Sequence, residues 1–153
     1  VRQNVTSQID QLRATEGLSR PQIRKYRVNF STNFRLSGIT EQKYLKRFNL
    51  GGAVRWEDKA AIGYYGVQQP PVIVTQYDLS RPIYDKAHAY FDFLVGYRTR
   101  LFSDRIGARF QLNVRNANAS GRLQPIGAFP DGTPYAYRIV DPRLFIVSAS
   151  FDL

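Results

Sequence analysis

The 153-residue sequence has no cysteine and no methionine, and it contains a single histidine, His88, and a single tryptophan, Trp56. Without cysteine the chain cannot form a disulfide framework, a thiolate zinc site or a cysteine nucleophile. One histidine excludes multi-histidine metal sites, and any Ser-His-Asp triad would have to use His88. These absences exclude thiolate and multi-histidine metal centres and a cysteine nucleophile.

Long apolar runs and phosphate-binding loops are absent as well. No stretch of the sequence approaches the roughly 18 consecutive apolar residues of a transmembrane helix. That excludes helical spans only, because membrane-spanning β-strands give a much weaker signal. No glycine-rich loop joins a strand to a helix, and the 12 acidic residues show no spacing typical of an acid/base pair. We therefore expect no enzyme, no catalytic residue, no metal site and no cofactor.

Positive charge and aromatic side chains are abundant. The chain has 22 Lys+Arg against 12 Asp+Glu, a formal charge of +10, with 10 Tyr and 10 Phe. A chain with 43% hydrophobic residues is expected to fold and to bury a core. It begins without methionine or a signal peptide, which suggests a processed product or an excised part of a longer protein.

Apolar and polar residues alternate with a period of two in five segments, which predicts five amphipathic strands. These segments are Tyr26–Leu36, Phe48–Trp56, Ala89–Leu101, Ile106–Arg115 and Phe145–Leu153. The first 25 residues differ, because Val5, Ile9 and Leu12 have helical spacing and Gly17 and Pro21 would end a helix. We predict a short surface helix within 1–25, and strands from 26 onwards.

The links between the predicted strands alternate in length. Residues 37–44 and 102–105 form short links, whereas 57–88 and 116–143 are long and contain prolines. Short turns on one side and long loops on the other are typical of an up-and-down outer-membrane barrel. Five strands cannot close such a barrel, and open sheet edges are not tolerated in hydrocarbon. The pattern therefore predicts an all-β antiparallel meander of about five strands that forms part of a larger barrel.

Several short motifs resemble the late barrel of TonB-dependent outer-membrane receptors. They are Gly51-Gly52-Ala53-Val54-Arg55-Trp56 with Lys59 and Ile62-Gly63-Tyr64, then Gln111-Leu112-Asn113-Val114-Arg115-Asn116, Pro130-Asp131-Gly132-Thr133-Pro134 and the alternating run to Leu153. The resemblance covers roughly residues 20 to 153 and depends on the order of the motifs and their distance from the C-terminus. The chain departs from the family at Leu153, where an aromatic residue is usual.

The resemblance implies a location in the outer membrane of a Gram-negative bacterium. Residues 1–25 would belong to an extracellular loop or short helix, and 26–153 would form the last five strands, with the long loops extracellular and the short turns periplasmic. The family imports scarce ligands, such as metal chelates, cobalamin or glycans, through a barrel closed by an N-terminal plug. The implied partners are outer-membrane lipids and lipopolysaccharide, the barrel-assembly machinery, the plug and earlier strands, and the TonB complex acting through the plug; no nucleic acid is expected.

Three groups of residues are candidates for function under this interpretation. Stacking and charged residues expected in the long loops are candidate ligand contacts: Trp56, Lys59, Tyr64, Tyr65, Arg81, Arg122 and Arg138. The same loop residues could instead be solvated or contact lipopolysaccharide phosphates. Candidate lumen-wall residues are Arg98, Arg109 and Arg115, which would pair with plug carboxylates or line a hydrated wall. The candidate barrel-assembly signal is Phe145, Val147, Ala149, Phe151 and Leu153. Gly51-Gly52 in a strand would mark either a β-bulge or a close approach of the plug, and the β-bulge is the favoured interpretation.

Two other functions remain open at the level of sequence. A soluble, basic, β-rich nucleic-acid-binding module would also combine arginine with tyrosine and phenylalanine. Against it, the arginines are spread over every segment rather than concentrated in one element. A passive porin would share the barrel, and only the N-terminal part, with or without a plug, would separate it from a receptor.

Overall fold

The computed structural model describes residues 13, 16–18, 22–69 and 71–152. These residues form an all-β, antiparallel structure with two 3₁₀ turns, Leu36–Gly38 and Leu45–Arg47. The all-β class predicted from the sequence is confirmed. The positions that predicted the N-terminal helix, Val5, Ile9 and Leu12, lie outside the described residues, as does Leu153.

The described residues contain nine strands. In chain order they are β1 (Arg27–Arg35), β2 (Phe48–Glu57), β3 (Ala60–Gly66), β4 (Tyr77–Asp85), β5 (His88–Leu101), β6 (Ile106–Arg115), β7 (Arg122–Ala128), β8 (Pro134–Val140) and β9 (Leu144–Asp152). The chain divides into two compact units. One unit contains Tyr26–Glu57, Ala87–Leu123 and Ile139–Leu153, and the other contains Asp58–Lys86, Gln124–Arg138 and the described residues before Tyr26. We call them the sheet unit and the loop unit.

The sheet unit contains one five-stranded sheet, in the order β1-β2-β5-β6-β9. The observed bounds of these strands lie within one residue of the five segments predicted from the alternation. All four pairings in the sheet are antiparallel, so the sheet is the predicted meander. The register continues through Gly51 and Gly52 without a shift, so the expected β-bulge is wrong. A side chain at Gly51 would instead crowd Leu94 Cβ at 3.3 Å.

The register collects the apolar residues of all five strands on one side of the sheet, because directly opposed residues in an antiparallel pair point to the same face. We call this side the apolar face. Its residues are Val28, Phe30, Thr32 and Phe34 of β1, Phe48, Leu50, Gly52, Val54 and Trp56 of β2, Ala89, Phe91, Phe93, Val95, Tyr97, Thr99 and Leu101 of β5, Ile106, Ala108, Phe110, Leu112 and Val114 of β6, and Phe145, Val147, Ala149 and Phe151 of β9.

Much of the apolar face is exposed. Phe30 is 65% exposed, Phe93 52% and Val147 78%. Large side chains left this open are unusual on soluble monomers, where contiguous apolar patches rarely exceed a few hundred Å².

The loop unit corrects the sequence prediction for the two long links. These links contain four strands, β3, β4, β7 and β8, which pair as two two-stranded sheets. The predicted total of about five strands is therefore too low. For three of the four strands proline is the physical reason, because β4, β7 and β8 each contain one and a proline in a run normally argues against a central strand. Here Pro82 lies in β4 opposite Tyr64, in a two-stranded sheet where each strand has an open side that needs no N–H donor.

The loop unit is held together by a small apolar core and by a buried polar network. The core contains Ala60, Ala61, Ile62 and Ile83, each less than 9% exposed. Beside it, Arg24 Nη2 lies 2.6 Å from Asp85 Oδ2, with the two side chains only 3% and 5% exposed.

Further hydrogen bonds extend this buried pair. Arg24 Nη1 also donates to the backbone carbonyls of Asp58 and Lys86. Gln124 Nε2 donates to Asp85 Oδ2, and Arg138 donates to Gln124 Oε1 at 3.0 and 2.9 Å. The guanidinium of Arg24 is therefore both neutralised and hydrogen-bonded, as a buried charge requires.

Candidate functional site

The side of the five-stranded sheet opposite the apolar face is polar, and we call it the polar face. It carries Arg27, Asn29, Ser31, Asn33 and Arg35 of β1, Asn49, Gly51, Ala53, Arg55 and Glu57 of β2, His88, Tyr90, Asp92, Leu94, Gly96, Arg98 and Arg100 of β5, Gly107, Arg109, Gln111, Asn113 and Arg115 of β6, and Leu144, Ile146, Ser148, Ser150 and Asp152 of β9. The two ends of this face, measured along the strands, differ in whether their arginines lie beside carboxylates.

At the end where β2 finishes and β5 begins, arginines pair with carboxylates; we call it the paired end. Arg27 Nε lies 3.9 Å from Glu57 Oε1, and Arg55 Nε lies 3.4 Å from Asp92 Oδ2. The Arg55 guanidinium also lies 5.4 Å from the centroid of the Tyr90 ring, within cation–π range. Arg27 and Arg55 are therefore each compensated by a nearby carboxylate.

The end of β6 is fixed against this paired end by two asparagines. Asn116 has φ +50°, a left-handed conformation that asparagine adopts more readily than most residues. Its backbone N–H donates to Asp92 Oδ1 at 2.8 Å, and its side-chain oxygen accepts from Arg55 at 2.7 Å. Asn118 then accepts from the Phe91 N–H and donates to the Ala89 carbonyl. The asparagine at the end of the motif Gln111–Asn116 therefore has a local structural role.

At the opposite end, next to the link between β5 and β6, cationic side chains outnumber acidic ones among the described residues. A groove of about 700 Å³ is lined there by five arginines and two aspartates, together with the neighbouring backbone. We call it the arginine groove, and its arginines are Arg47, Arg98, Arg100, Arg105 and Arg109. Five positive and two negative side chains leave a formal charge of +3 in its lining. A smaller adjoining recess of about 260 Å³ adds Arg35 and Lys46.

The arrangement of these arginines is unfavourable by itself. Arg98 and Arg109 are direct cross-strand partners, and like charges directly opposite each other destabilise a sheet. Within the part of the chain that the structure describes, no ion pair is formed by Arg98, Arg100, Arg105 or Arg109. Arg47 donates instead to the Thr99 hydroxyl at 2.8 Å.

The turn beside the arginine groove is conformationally strained. Phe102, Ser103 and Asp104 have φ values of +53°, +56° and +68°. Three consecutive non-glycine residues in the left-handed region are unusual, and each costs roughly 1–2 kcal/mol. The turn nevertheless closes with the Arg105 N–H donating to the Phe102 carbonyl at 3.3 Å. Strain and an excess of positive side chains therefore occur at the same end of the sheet.

The structure brings two of the three predicted lumen-wall residues together. Arg98 and Arg109 both line the arginine groove, whereas Arg115 lies further along β6, opposite Leu144. Arg115 borders a concavity of about 750 Å³ near Gly51 and Gly52. The pairing of these arginines with a plug stays a prediction.

Four predicted ligand contacts of the loop unit are engaged in local interactions. The Lys59 ammonium lies 4.5 Å from the centroid of the Tyr84 ring, and the Arg81 guanidinium lies 5.0 Å from that of Tyr65. Arg138 belongs to the buried network through Gln124.

The remaining candidate of this unit, Tyr64, is half-buried in β3, opposite Pro82. Trp56 and Arg122 belong to the sheet unit. Trp56 lies on the apolar face between Val28 and Ala89, while Arg122 donates to the Tyr90 hydroxyl at 3.3 Å. A role in ligand contact stays a prediction for all seven residues.

Sequence reasoning did not select Arg47, Arg100 or Arg105. The signal for two of them was available, because a hairpin turn at 102–105 and the alternation of β5 and β6 place Arg98, Arg100 and Arg109 on one face. Arg105 belongs to that turn. Arg47 could not have been found in the same way, since its position depends on the 3₁₀ turn Leu45–Arg47.

The predicted assembly signal forms the edge strand β9. Phe145, Val147, Ala149 and Phe151 point to the apolar face, opposite Val114, Leu112, Phe110 and Ala108 respectively. Phe110 and Phe151 make an edge-to-face contact with ring centroids 6.1 Å apart. Recognition of this strand by an assembly machinery stays a prediction.

Among the described residues, no three His, Cys, Asp or Glu side chains form a group that could hold a metal ion. None of the helical segments in that part of the chain has the length and apolar character to cross a membrane. Comparison with known proteins matches no family model, no curated protein and no solved structure.

Proposed function

We propose that the chain forms the last five membrane strands of the barrel of a TonB-dependent outer-membrane receptor, which takes up a scarce ligand by an energised mechanism. The observation that carries this proposal is the exposed apolar face, which spans all five strands and lies opposite a polar face. An alternation of apolar-out and polar-in residues is what a membrane barrel requires.

The dimensions of the apolar face are consistent with a bilayer. Along β5 it runs from Ala89 to Leu101, twelve residue steps that extend about 40 Å at roughly 3.3 Å per step. A strand tilted by about 45° would therefore cover about 28 Å along the membrane normal, close to the apolar band of about 25 Å in such barrels.

The two open edges of the sheet support a partial rather than a complete barrel. β1 and β9 each have one partner, so one side of each strand is unpaired within the sheet. In hydrocarbon, every unsatisfied backbone group costs several kcal/mol. The proposal therefore requires earlier strands of the same receptor to pair with both edges.

In this proposal the polar face lines the lumen, and the long links 57–88 and 116–143 are extracellular. The candidate ligand contacts there combine cationic and aromatic side chains, which suits an anionic or planar ligand. Coupling to the TonB complex would occur through the plug, and the chain would contribute part of the wall and loops. These roles follow from the family resemblance.

Consecutive residues of β6 offer a matched test. Leu112 lies on the apolar face and Gln111 on the polar face. Leu112→Arg should destabilise the chain folded in lipid bilayers by about 2–4 kcal/mol, because an arginine on the lipid side near the midplane costs that much. Gln111→Arg should change stability by much less. The free energy of unfolding is measured by urea titration of the far-UV circular dichroism signal in vesicles.

A comparison of solvents completes the test. We expect the unmodified chain to aggregate in plain buffer and to acquire a β-sheet spectrum in detergent micelles. A monodisperse monomer that melts cooperatively without detergent would contradict the proposal, as would equal effects of the two arginine variants.

The nucleic-acid-binding alternative is less well supported by the register. Proteins that bind single strands place stacking aromatics and cations along the same groove. In the sheet unit, most aromatic side chains lie on the apolar face, whereas Arg98, Arg100 and Arg109 lie on the other. The passive porin alternative shares the same strands, and detection of a plug upstream of this chain would separate it from a receptor.

A further inference from the structure

The arginine groove of the sheet unit has properties that the wall of a barrel does not require. A hydrated wall can be polar without concentrating charge of one sign, yet the groove lining carries five arginines against two aspartates. The paired end of the same face shows the alternative, since Arg27 and Arg55 each lie beside a carboxylate.

We propose that the arginine groove binds a small polyanion that carries two or more phosphate groups. The formal charge of +3 in the lining calls for more negative charge than one carboxylate supplies. Arginine is suited to this ligand, because its planar guanidinium offers paired N–H donors that match the oxygens of a phosphate.

The positions of the arginines support a compact ligand. Arg98 and Arg109 are direct cross-strand partners, and Arg100 follows Arg98 by two residues on the same face. An anion between them would turn a repulsive cluster into a set of charge-assisted hydrogen bonds. The volume of about 700 Å³ falls within the range of roughly 300–1,000 Å³ that is usual for small-molecule sites. This inference needs only the five-stranded sheet, so it does not depend on the assignment to a membrane receptor.

The test is isothermal titration of the full chain with sodium tripolyphosphate, in the detergent or buffer in which the chain shows its β-sheet spectrum. We expect saturable binding that the double variant Arg98→Gln/Arg109→Gln weakens by at least tenfold. The matched control is Arg27→Gln, which removes a 61%-exposed arginine from the paired end of the same face. The control should change the dissociation constant by less than a factor of about two, because a single exposed charge is largely screened by salt.

Two further titrations identify the source of the phosphates. Micelles doped with a lipid that carries two phosphate groups test a headgroup, and a single-stranded oligonucleotide tests a polymeric phosphate chain. Groove-dependent binding of tripolyphosphate, of the lipid or of both supports the proposal and names the source. Tighter binding of the oligonucleotide, with equal losses in the groove variant and in Arg27→Gln, would overturn it, because that pattern marks diffuse attraction to a basic protein. Absence of binding to tripolyphosphate and the lipid at millimolar concentration would also overturn it.

Discussion

The loop unit and the arginine groove of the sheet unit use arginine in opposite ways. In the loop unit, Arg24 is 3% exposed and lies 2.6 Å from the Asp85 carboxylate, and Gln124 completes the set of hydrogen bonds. In the sheet unit, Arg98 and Arg109 oppose each other across two strands, and neither forms an ion pair with a described residue. The first arrangement satisfies a buried charge completely, and the second leaves charge available to a partner. The difference separates arginines that maintain the fold from arginines that are candidates for binding.

The largest loss of stability should come from breaking the buried ion pair between Arg24 and Asp85. Asp85→Ala removes the Asp85 carboxylate from the buried Arg24 guanidinium, and removal of one partner of such a pair costs about 3–5 kcal/mol. The loss should appear as faster amide hydrogen exchange in β3 and β4. Asp78→Ala, in the same strand, is the control and should cost less than about 1 kcal/mol.

A double variant tests whether the loss comes from the unbalanced charge or from the missing ion pair. Arg24→Leu/Asp85→Leu replaces both charges with apolar groups and should recover much of the protection, because a buried pair is often no more stable than well-packed apolar residues. Equal protection in Asp85→Ala and in the unmodified chain would show that the pair is not structurally important.

The next largest effect should be a gain in stability, from relieving the strained turn beside the arginine groove. Ser103→Gly should stabilise the sheet unit by about 0.5–1 kcal/mol, since glycine adopts φ +56° without the penalty that serine incurs. Denaturant unfolding measures the change, and Ser148→Gly, on the polar face in an extended strand, provides the control and should not stabilise. If Ser103→Gly has no stabilising effect, the turn is not strained in solution.

Removal of one groove arginine should have a smaller stabilising effect. Arg109→Gln relieves the repulsion with Arg98, which is worth about 0.2–1 kcal/mol for a directly opposed pair. The gain in the free energy of unfolding should shrink at high salt, because salt screens the repulsion. Arg27→Gln is again the control, and a gain of the same size in that variant would show that net charge, rather than the opposed pair, is responsible.

The smallest effect concerns a second aspartate of β4. Ser80 Oγ donates to Asp78 Oδ1 at 2.6 Å, and this hydrogen bond, with lesser help from the Ser80 N–H and the Arg81 charge, lowers the pKa of Asp78 below its ordinary value of 3.8. A lowered carboxyl pKa contributes stability above the unfolded value, which is lost as the pH falls through the folded pKa. Carboxyl titration by NMR should show Ser80→Ala raising the pKa of Asp78 towards 3.8. An unchanged midpoint would exclude Ser80 as the cause.

Much of the sheet unit could be predicted from sequence, because a period of two is a direct consequence of strand geometry. The five predicted segments match β1, β2, β5, β6 and β9 to within one residue. The loop unit could not be predicted in this way. Its strands contain Pro82, Pro125 and Pro134, and its buried polar residues Arg24, Asp85 and Gln124 carry no apolar pattern.

The candidate site was predictable only where it depended on alternation. Arg98 and Arg109 were selected because their positions in the strands place them on the polar face. That they are directly opposed depends on the turn at 102–105, and the contribution of Arg47 depends on a 3₁₀ turn that no local pattern indicates. The strain in that turn could not be predicted either, since Phe102 and Ser103 are not residues that usually adopt a left-handed backbone, although Asp104 is.

The open edges of the five-stranded sheet have a kinetic consequence. β1 and β9 each contain nine residues with one partner strand, so roughly half of the peptide groups along each edge point away from the sheet. At several kcal/mol for each group left unpaired in hydrocarbon, transfer of the isolated sheet would cost more than the 5–15 kcal/mol by which domains are usually stable. Entry into an apolar phase must therefore occur together with edge pairing. For the chain alone, the insertion rate should rise faster than linearly with its concentration, since a second copy is the only available source of strands.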